Sequence, residues 1–334
     1  MQRITAAIAF PLLSAAAIII ILAALPACRK SAKKAFVVGY VNPNPENELS
    51  AQSFLQSMSK YGYVKGQNIS YIRSETKDKA RIENDLREMV AKKVDLIFTL
   101  TTPAATMAKK ITEGTGIPVV FVMYDSVGSG VVKRLVGHGE NITGVQLAGS
   151  TPKALEWLLA IQPQAKHIFV PVCFDTGAAS LSLRDLKQGA AKLGIRLTVG
   201  KVATVEELRA SLSEMPADVD AIFMIRSWLV GCNFKVVHDQ AVKRKIPVVS
   251  AGQVHFDNGL ILSYGPRDDR VGQQAARLAD RILGGTPAAN LPVETSEFFL
   301  GINLRAARLI GFSIPRDILQ QADFIIRERQ NHPN

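Results

Sequence analysis

The stretch TLTTPAA, residues 99–105, places two threonines and a proline where an apolar run ends and a helical pattern begins. Thr102 can cap that helix and Pro103 suits its first turn. The backbone amides of Ala104 and Ala105 are then expected to face outward at the positive end of the helix dipole, and Thr101 and Thr102 add hydroxyl donors. That chemistry suits a carboxylate. Other polar residues sit after apolar runs in the same way. Asn42 and Asn44 lie in GYVNPNPEN (39–47), as a ligand wall or a stiff turn. Asp125 in MYDSVGSG (123–130) can accept from an amine or cap a turn. Asp175 follows the run ending at Cys173. Arg226 in RSWLVG (226–231) can clamp a carboxylate with two parallel hydrogen bonds, or pair with a neighbouring acid. Trp228 can stack on a ligand or plug the core, and Gln253 in AGQVHFD (251–257) completes the set.

These residues read as binding groups, with no catalytic assignment. His138, His167, His238, His255 and His332 are dispersed, without the close spacing of a metal site. No nucleophile elbow or P-loop occurs, and GSGVVK lacks the third glycine of a dinucleotide loop and follows the wrong run. We therefore expect no enzyme, no cofactor and no metal. The net charge is +11, but lysine and arginine are scattered and only 7% of residues are aromatic, which argues against nucleic acid. The basic surface suits the neighbourhood of an anionic membrane. Cys173 and Cys232 can pair in an oxidising compartment, and are expected instead as two buried thiols.

The elements that must hold these loops alternate regularly. Near-continuous apolar runs at 36–41, 68–73, 95–100, 117–123 and 141–147 are separated by amphipathic helical patterns. The rhythm restarts at 167–173, 195–200, 221–226 and 246–252. Strands buried on both faces, alternating with helices, predict parallel sheets in an α/β protein. We expect two doubly wound parallel-sheet lobes joined by a hinge. The first spans 36–145 plus 263–290, the second 146–262 plus 291–326, with a polar tail at 327–334. A helix is expected from Asp268 to Leu283, then a C-terminal helical stretch. Hinge crossovers are expected at Gly144–Val145, Leu262–Tyr264 and Leu291–Pro292. In such sheets ligands sit beyond the carboxyl ends of the strands.

Residues 4–27 carry no charge, after a short start containing Arg3. This pattern reads as a signal peptide at 1–27, followed by an anchor linker at 28–35. LPAC (25–28) resembles a bacterial lipobox, which implies lipid on Cys28. A retained membrane helix or plain secretion are the alternatives, and all three export the remainder.

YGYVKGQNI (61–69), DLIFTLTTPAA (95–105), IPVVFVMYDSVGSGVVKRL (117–135), NITGV (141–145), GLILSYGP (259–266), ADRILGGTPAANLPVE (279–294) and INLRAARLIGFSIP (302–315) occur in order. Together they resemble the substrate-binding lipoproteins of ABC importers with the type I periplasmic-binding fold, in the group that includes aromatic amino-acid binders. The resemblance implies a monomer that captures a small solute at the membrane's outer face by hinge closure and hands it to a permease with its ATPase. The same cleft could instead feed a membrane signalling partner. Members often carry acidic residues near 252–253, where this chain has Gly252 and Gln253.

Overall fold

The computed structural model describes residues 35–43, 48–174, 177–253 and 255–327. The expected signal peptide, Cys28, Asn44, Asp175 and nearly all of the expected polar tail lie outside the described residues. Among the described residues, no helix is long and apolar enough to cross a membrane, and no group of three or more His, Cys, Asp or Glu could hold a metal ion.

The first sheet contains β1 (Phe36–Val41), β2 (Ile69–Ser74), β3 (Leu96–Leu100), β4 (Val119–Met123), β5 (Ile142–Gln146) and β11 (Glu294–Thr295). Their order is β11-β5-β4-β3-β1-β2, all parallel. Every residue of β3, β4 and β5 is buried, because helices cover both faces. One face carries α1 (Glu48–Lys60); the other carries α2 (Lys79–Ala91) and α3 (Thr102–Thr112).

The second sheet contains β6 (His167–Val172), β7 (Arg196–Lys201), β8 (Ala221–Met224), β9 (Val248–Ser250), β10 (Leu262–Pro266), β12 (Phe298–Asn303) and β13 (Phe324–Ile326). Its order is β13-β12-β10-β9-β8-β6-β7. It is covered by α4 (Ser150–Ile161) and α5 (Gly177–Leu193) on one side and by α6 (Val205–Ser213) and α8 (Phe234–Arg244) on the other. The short α7 (Trp228–Cys232) precedes α8.

The remaining helices are α9 (Asp268–Leu283), α10 (Leu304–Leu309) and α11 (Arg316–Gln321). Helix α9 lies against α1, over the first sheet. The approach is close: a Cβ on Gly272 would sit 2.2 Å from the Ser50 carbonyl oxygen. Ser53 Oγ donates to the Asp269 carbonyl at 2.5 Å, and the Tyr63 hydroxyl to Asp280 Oδ1 at 3.1 Å.

The tail departs from expectation. Where a helical stretch was read, β12 and β13 add two strands and only short helices remain. β12 runs antiparallel to β10, so the second sheet is mixed. The lobe boundaries shift as well. β10 belongs to the second sheet, whereas β11 edges the first. The chain therefore crosses between sheets at 147–149, at Arg267 and at 296–297, each a few residues beyond the expected hinge. The expected positions 144–145 and 262–264 lie inside β5 and β10, where ladder hydrogen bonds fix the backbone. Cys173 is partly exposed and Cys232 exposed, rather than both buried, and no disulfide forms among the described residues.

Candidate functional site

The carboxyl ends of both sheets open onto one cavity of about 200 Å³. The first lobe contributes Ser50, Thr101, Thr102 and the end of β4 through Tyr124. The second contributes Met224 to Trp228, Ser250 to Gln253, and His255. Asp268 enters from the start of α9. The walls are otherwise apolar, with Val122, Met123, Leu147, Ile225 and Pro266 among them.

The Thr101–Ala105 corner is built differently from the expectation. Thr101, not Thr102, occupies the cap position, with φ 83° and ψ 149°, and its side chain makes no capping bond. A β-branched residue rarely adopts positive φ, so the turn from β3 into α3 is strained where it borders the cavity. The Ala105 amide bonds the Thr101 carbonyl at 3.1 Å, so it is not available to a ligand. Ala104 and Ala105 are buried beneath the corner, and neither lines the cavity. What faces the cavity is Thr101, Thr102 and Pro103.

Arg226 extends from the end of β8. Its guanidinium carbon lies 5.6 Å from the Tyr124 ring centre. It makes no ion pair among the described residues, and its buried Nε has no hydrogen-bond partner. Asp268 approaches from the other lobe. Burial raises its carboxyl above the usual range, while the positive charge of Arg226 and a hydrogen bond from Ser50 oppose that shift. Asp268 likewise makes no ion pair. Trp228 lines the cavity at the start of α7, and the Lys77 ammonium from the first lobe sits 4.3 Å from its ring centre.

Gln253 and His255 present buried, unpartnered Nε2 atoms. The His255 ring stacks on Phe234 with centroids 4.9 Å apart and planes 1° off parallel. Burial pulls its pKa below the usual value, opposed by a hydrogen bond to the Gly231 backbone. The ring is therefore neutral near pH 7.

Two expected site residues are used elsewhere. Asn42 is buried after β1, its amide bonding the Ser74 carbonyl at 2.9 Å, and it does not line the cavity. Asp125 accepts from the Gly128 amide at 2.7 Å and from Arg184 Nη2 at 3.0 Å. It is a turn acid tied to the second lobe and does not line the cavity. Beside it, the Tyr124 hydroxyl donates to Asp185 Oδ2 at 3.0 Å. Arg184 and Asp185 both ride on α5, so the loop after β4 is fastened across the lobes. Thr101, Thr102, Arg226, Trp228 and Gln253 come together as expected neighbours of one cavity.

Sequence reasoning passed over Ser50, Tyr124, His255 and Asp268. Asp268 carried a usable signal: an acid at a helix start directly after the strand run ending at Pro266. It is the same strand-to-helix logic that singled out Thr102.

Comparison with known proteins adds an independent line. Residues 43–326 match the family model described as ABC transporter substrate binding protein. A tyrosine-binding protein from Clostridioides difficile is 24% identical over 254 residues, covering 75% of this chain and 73% of that one. A conserved domain protein from Vibrio cholerae is similar in structure, with TM-score 0.77 and 25% identity over 88% of this chain and 99% of that one. So is an ABC domain in complex with L-Trp from Streptococcus pneumoniae, with TM-score 0.77 and 23% identity, covering 88% and 100%.

Proposed function

Because the chain belongs to the ABC transporter substrate-binding protein family, whose members bind solutes rather than transform them, we propose that it captures a small carboxylate-bearing solute, an amino acid or a close analogue. One observation carries this reading. Arg226 and Asp268, opposite charges from different lobes, line a single apolar cavity, and among the described residues neither is in an ion pair. Holding both groups charged in an apolar cavity without a close ion-pair partner is costly. A zwitterion offsets the cost on both sides, with its carboxylate on Arg226 and its ammonium on Asp268. Thr101 and Thr102 supply further donors from the first lobe. The L-Trp complex and the tyrosine-binding relative are consistent with such a cargo.

In this reading the protein works as a monomer outside the cytoplasm and delivers its cargo to a permease with its ATPase. The ligand bridges the lobes, and closure gains only the free energy that bridging supplies. Flexing occurs at 147–149, Arg267 and 296–297. The LPAC junction supports a lipid anchor at Cys28. A radiolabelled fatty acid should mark the wild type and not Cys28→Ser; equal labelling removes the anchor.

The deciding experiment is a thermal-shift screen of amino acids and small carboxylates, followed by calorimetry. A ligand at 100 times its Kd adds about 2.7 kcal/mol to apparent stability. A 1:1 complex without turnover is expected. If no amino acid or carboxylate shifts the melting temperature, the reading fails.

A further inference from the structure

Resting on the reading of Cys28 as a lipid anchor, we infer that the amino end of the first lobe is a contact surface for an anionic phospholipid membrane, which holds the cleft facing away from the bilayer. In a parallel sheet covered by helices, strand starts and helix carboxyl ends fall together, opposite the cleft. Basic side chains converge on that end from separate segments. Lys60 ends α1, Lys65 lies in the loop before β2, and Lys93 lies in the turn before β3. Lys110 and Arg281 stand in the last turns of α3 and α9. All of them are exposed, and none is in an ion pair among the described residues. The acids at this end are already engaged. Glu88 pairs with Lys92, and Glu140 with Lys109. Asp95 accepts from the Val37 amide at 2.8 Å, and Asp280 from the Tyr63 hydroxyl at 3.1 Å. Glu113 is the exposed exception.

Part of this charge answers the negative ends of the helices. Lys65 and Lys93 lie outside the helices, however, and the second lobe, whose helices end the same way, is mixed. There Lys243 and Lys245 share the end with exposed Glu214 and Asp218, and Arg196 is paired with Asp218. The cleft end of the first lobe is mixed too, with Glu75, Asp78, Asp268 and Asp269 beside its bases. The occupant follows from where the chain enters. Phe36 starts β1 at the basic end, and its ring meets that of Tyr63 edge-on at 5.6 Å. The sequence between Cys28 and Phe36 reads RKSAKKA, itself strongly basic. Fully extended it spans at most about 30 Å. A lipid on Cys28 therefore keeps this end nearest the headgroups, and basic clusters beside an anchor are drawn to anionic lipid. Tyr61, 45% exposed between Lys60 and Lys65, adds a ring suited to the headgroup region. Helix α1, 13 residues long, sets the cleft about 20 Å above this face. That exceeds the roughly 8 Å over which a charged surface acts at physiological salt. Arg226 and Asp268 thus lie outside the membrane's field, and the cleft opens to solvent for capture.

The test inserts the full chain into the outer leaflet of preformed vesicles, of phosphatidylcholine alone or with one-third phosphatidylglycerol. Brief acetylation is then read lysine by lysine by mass spectrometry. Lys60, Lys65, Lys93 and Lys110 should react at least about threefold more slowly on the anionic vesicles than on the neutral ones. The difference should vanish at about 1 M salt, where the screening length falls to about 3 Å. Lys79 and Lys235, at the cleft ends of the two lobes, should be unchanged. Lys60→Glu with Lys110→Glu should abolish the protection of Lys65 and Lys93. Lys60→Gln with Lys110→Gln, the milder pair should the reversal fail to fold, should weaken it. Equal reactivity on both vesicles overturns the inference, as does protection that survives high salt or extends equally to Lys79 and Lys235. Protection by a single-stranded oligonucleotide but not by anionic vesicles assigns the face to nucleic acid and overturns it too. The N-terminal peptide from the same digests reports lipid on Cys28. Lipid without protection leaves the anchor and removes the contact surface; protection without lipid leaves the surface and removes the anchor.

Discussion

Replacing Arg226 by methionine should move binding and stability in opposite directions. The side chain extends into the interlobe cavity with a buried, unpartnered Nε and, among the described residues, no ion pair. A buried donor without an acceptor costs about 1–3 kcal/mol. Methionine removes that cost while keeping a long apolar stem. Against this, the guanidinium carbon lies 5.6 Å from the Tyr124 ring centre, a cation–π contact worth about 0.5–1 kcal/mol. The attraction to Asp268 is lost as well. The ligand-free variant should therefore be as stable as wild type or more so, by up to about 2 kcal/mol, raising Tm by up to about 3 °C. Binding should suffer, because a charge-assisted hydrogen bond to a carboxylate contributes about 1.5–3 kcal/mol, or about ten- to hundredfold in Kd. Differential scanning calorimetry of the ligand-free proteins and titration with the strongest amino acid from the screen read the two effects separately. A variant that loses stability and keeps full affinity would show that Arg226 is structural, and would refute the reasoning.

Three further outcomes are expected. Asp268→Asn should weaken amino acids by about 1.5–3 kcal/mol but leave simple monocarboxylic acids nearly unaffected, since only the ammonium is lost as a partner. Because burial raises this carboxyl, proton uptake should begin to compete with amino-acid binding at a higher pH than an ordinary aspartate allows, and titrations across pH 5–8 should lose that dependence in the variant. Thr101→Gly should relieve a positive-φ strain of about 1–3 kcal/mol, less about 0.5–1 for glycine's greater unfolded freedom, so urea unfolding should show equal or higher stability; a loss above about 1 kcal/mol argues against strain at that turn. Gly272→Val should destabilise by about 2–3 kcal/mol in the same assay, since even its Cβ would meet the Ser50 carbonyl oxygen at 2.2 Å. It should also weaken binding, because Ser50 and Asp268 both line the cavity.

How far the sequence could be read depended on whether the signal was local. The β1 run and the Asp268–Leu283 helix lie where apolar periodicity places them, at Phe36–Val41 and Asp268–Leu283. Central strands such as Ile142–Gln146 are apolar runs because helices cover both faces. The tail was illegible because FFLGIN is followed at once by a helical pattern, and six residues of strand pairing with distant β10 leave no periodic trace of their own. At the cavity, the threonine corner and Arg226 were visible as polar residues after strands. Asp125 had the same appearance, and only its tertiary neighbour Arg184 diverts it. Asp268 and His255 were hidden for the converse reason. A helix-start acid and an isolated histidine are ordinary until a second lobe encloses them.

The seating of α9 on α1 also bears on the order in which the protein can be made. The apolar face formed by Phe54, Met58, Phe98 and Val120 is closed by Val271, Ala275, Ala276 and Ala279, and β5 waits for its edge partner at Glu294–Thr295. A growing chain that has emitted all five leading strands still lacks the cover for its first core. At roughly 5–20 residues per second, the wait until α9 emerges is on the order of ten seconds. During that interval the first lobe exposes a sticky face and a bare sheet edge, and the second sheet is likewise short of β12 and β13. Both cores thus complete only after α9, β12 and β13 have emerged. Until then the nascent chain has not locked into either lobe, and a premature stop before α9 should yield an aggregating fragment rather than a half-sized binding module.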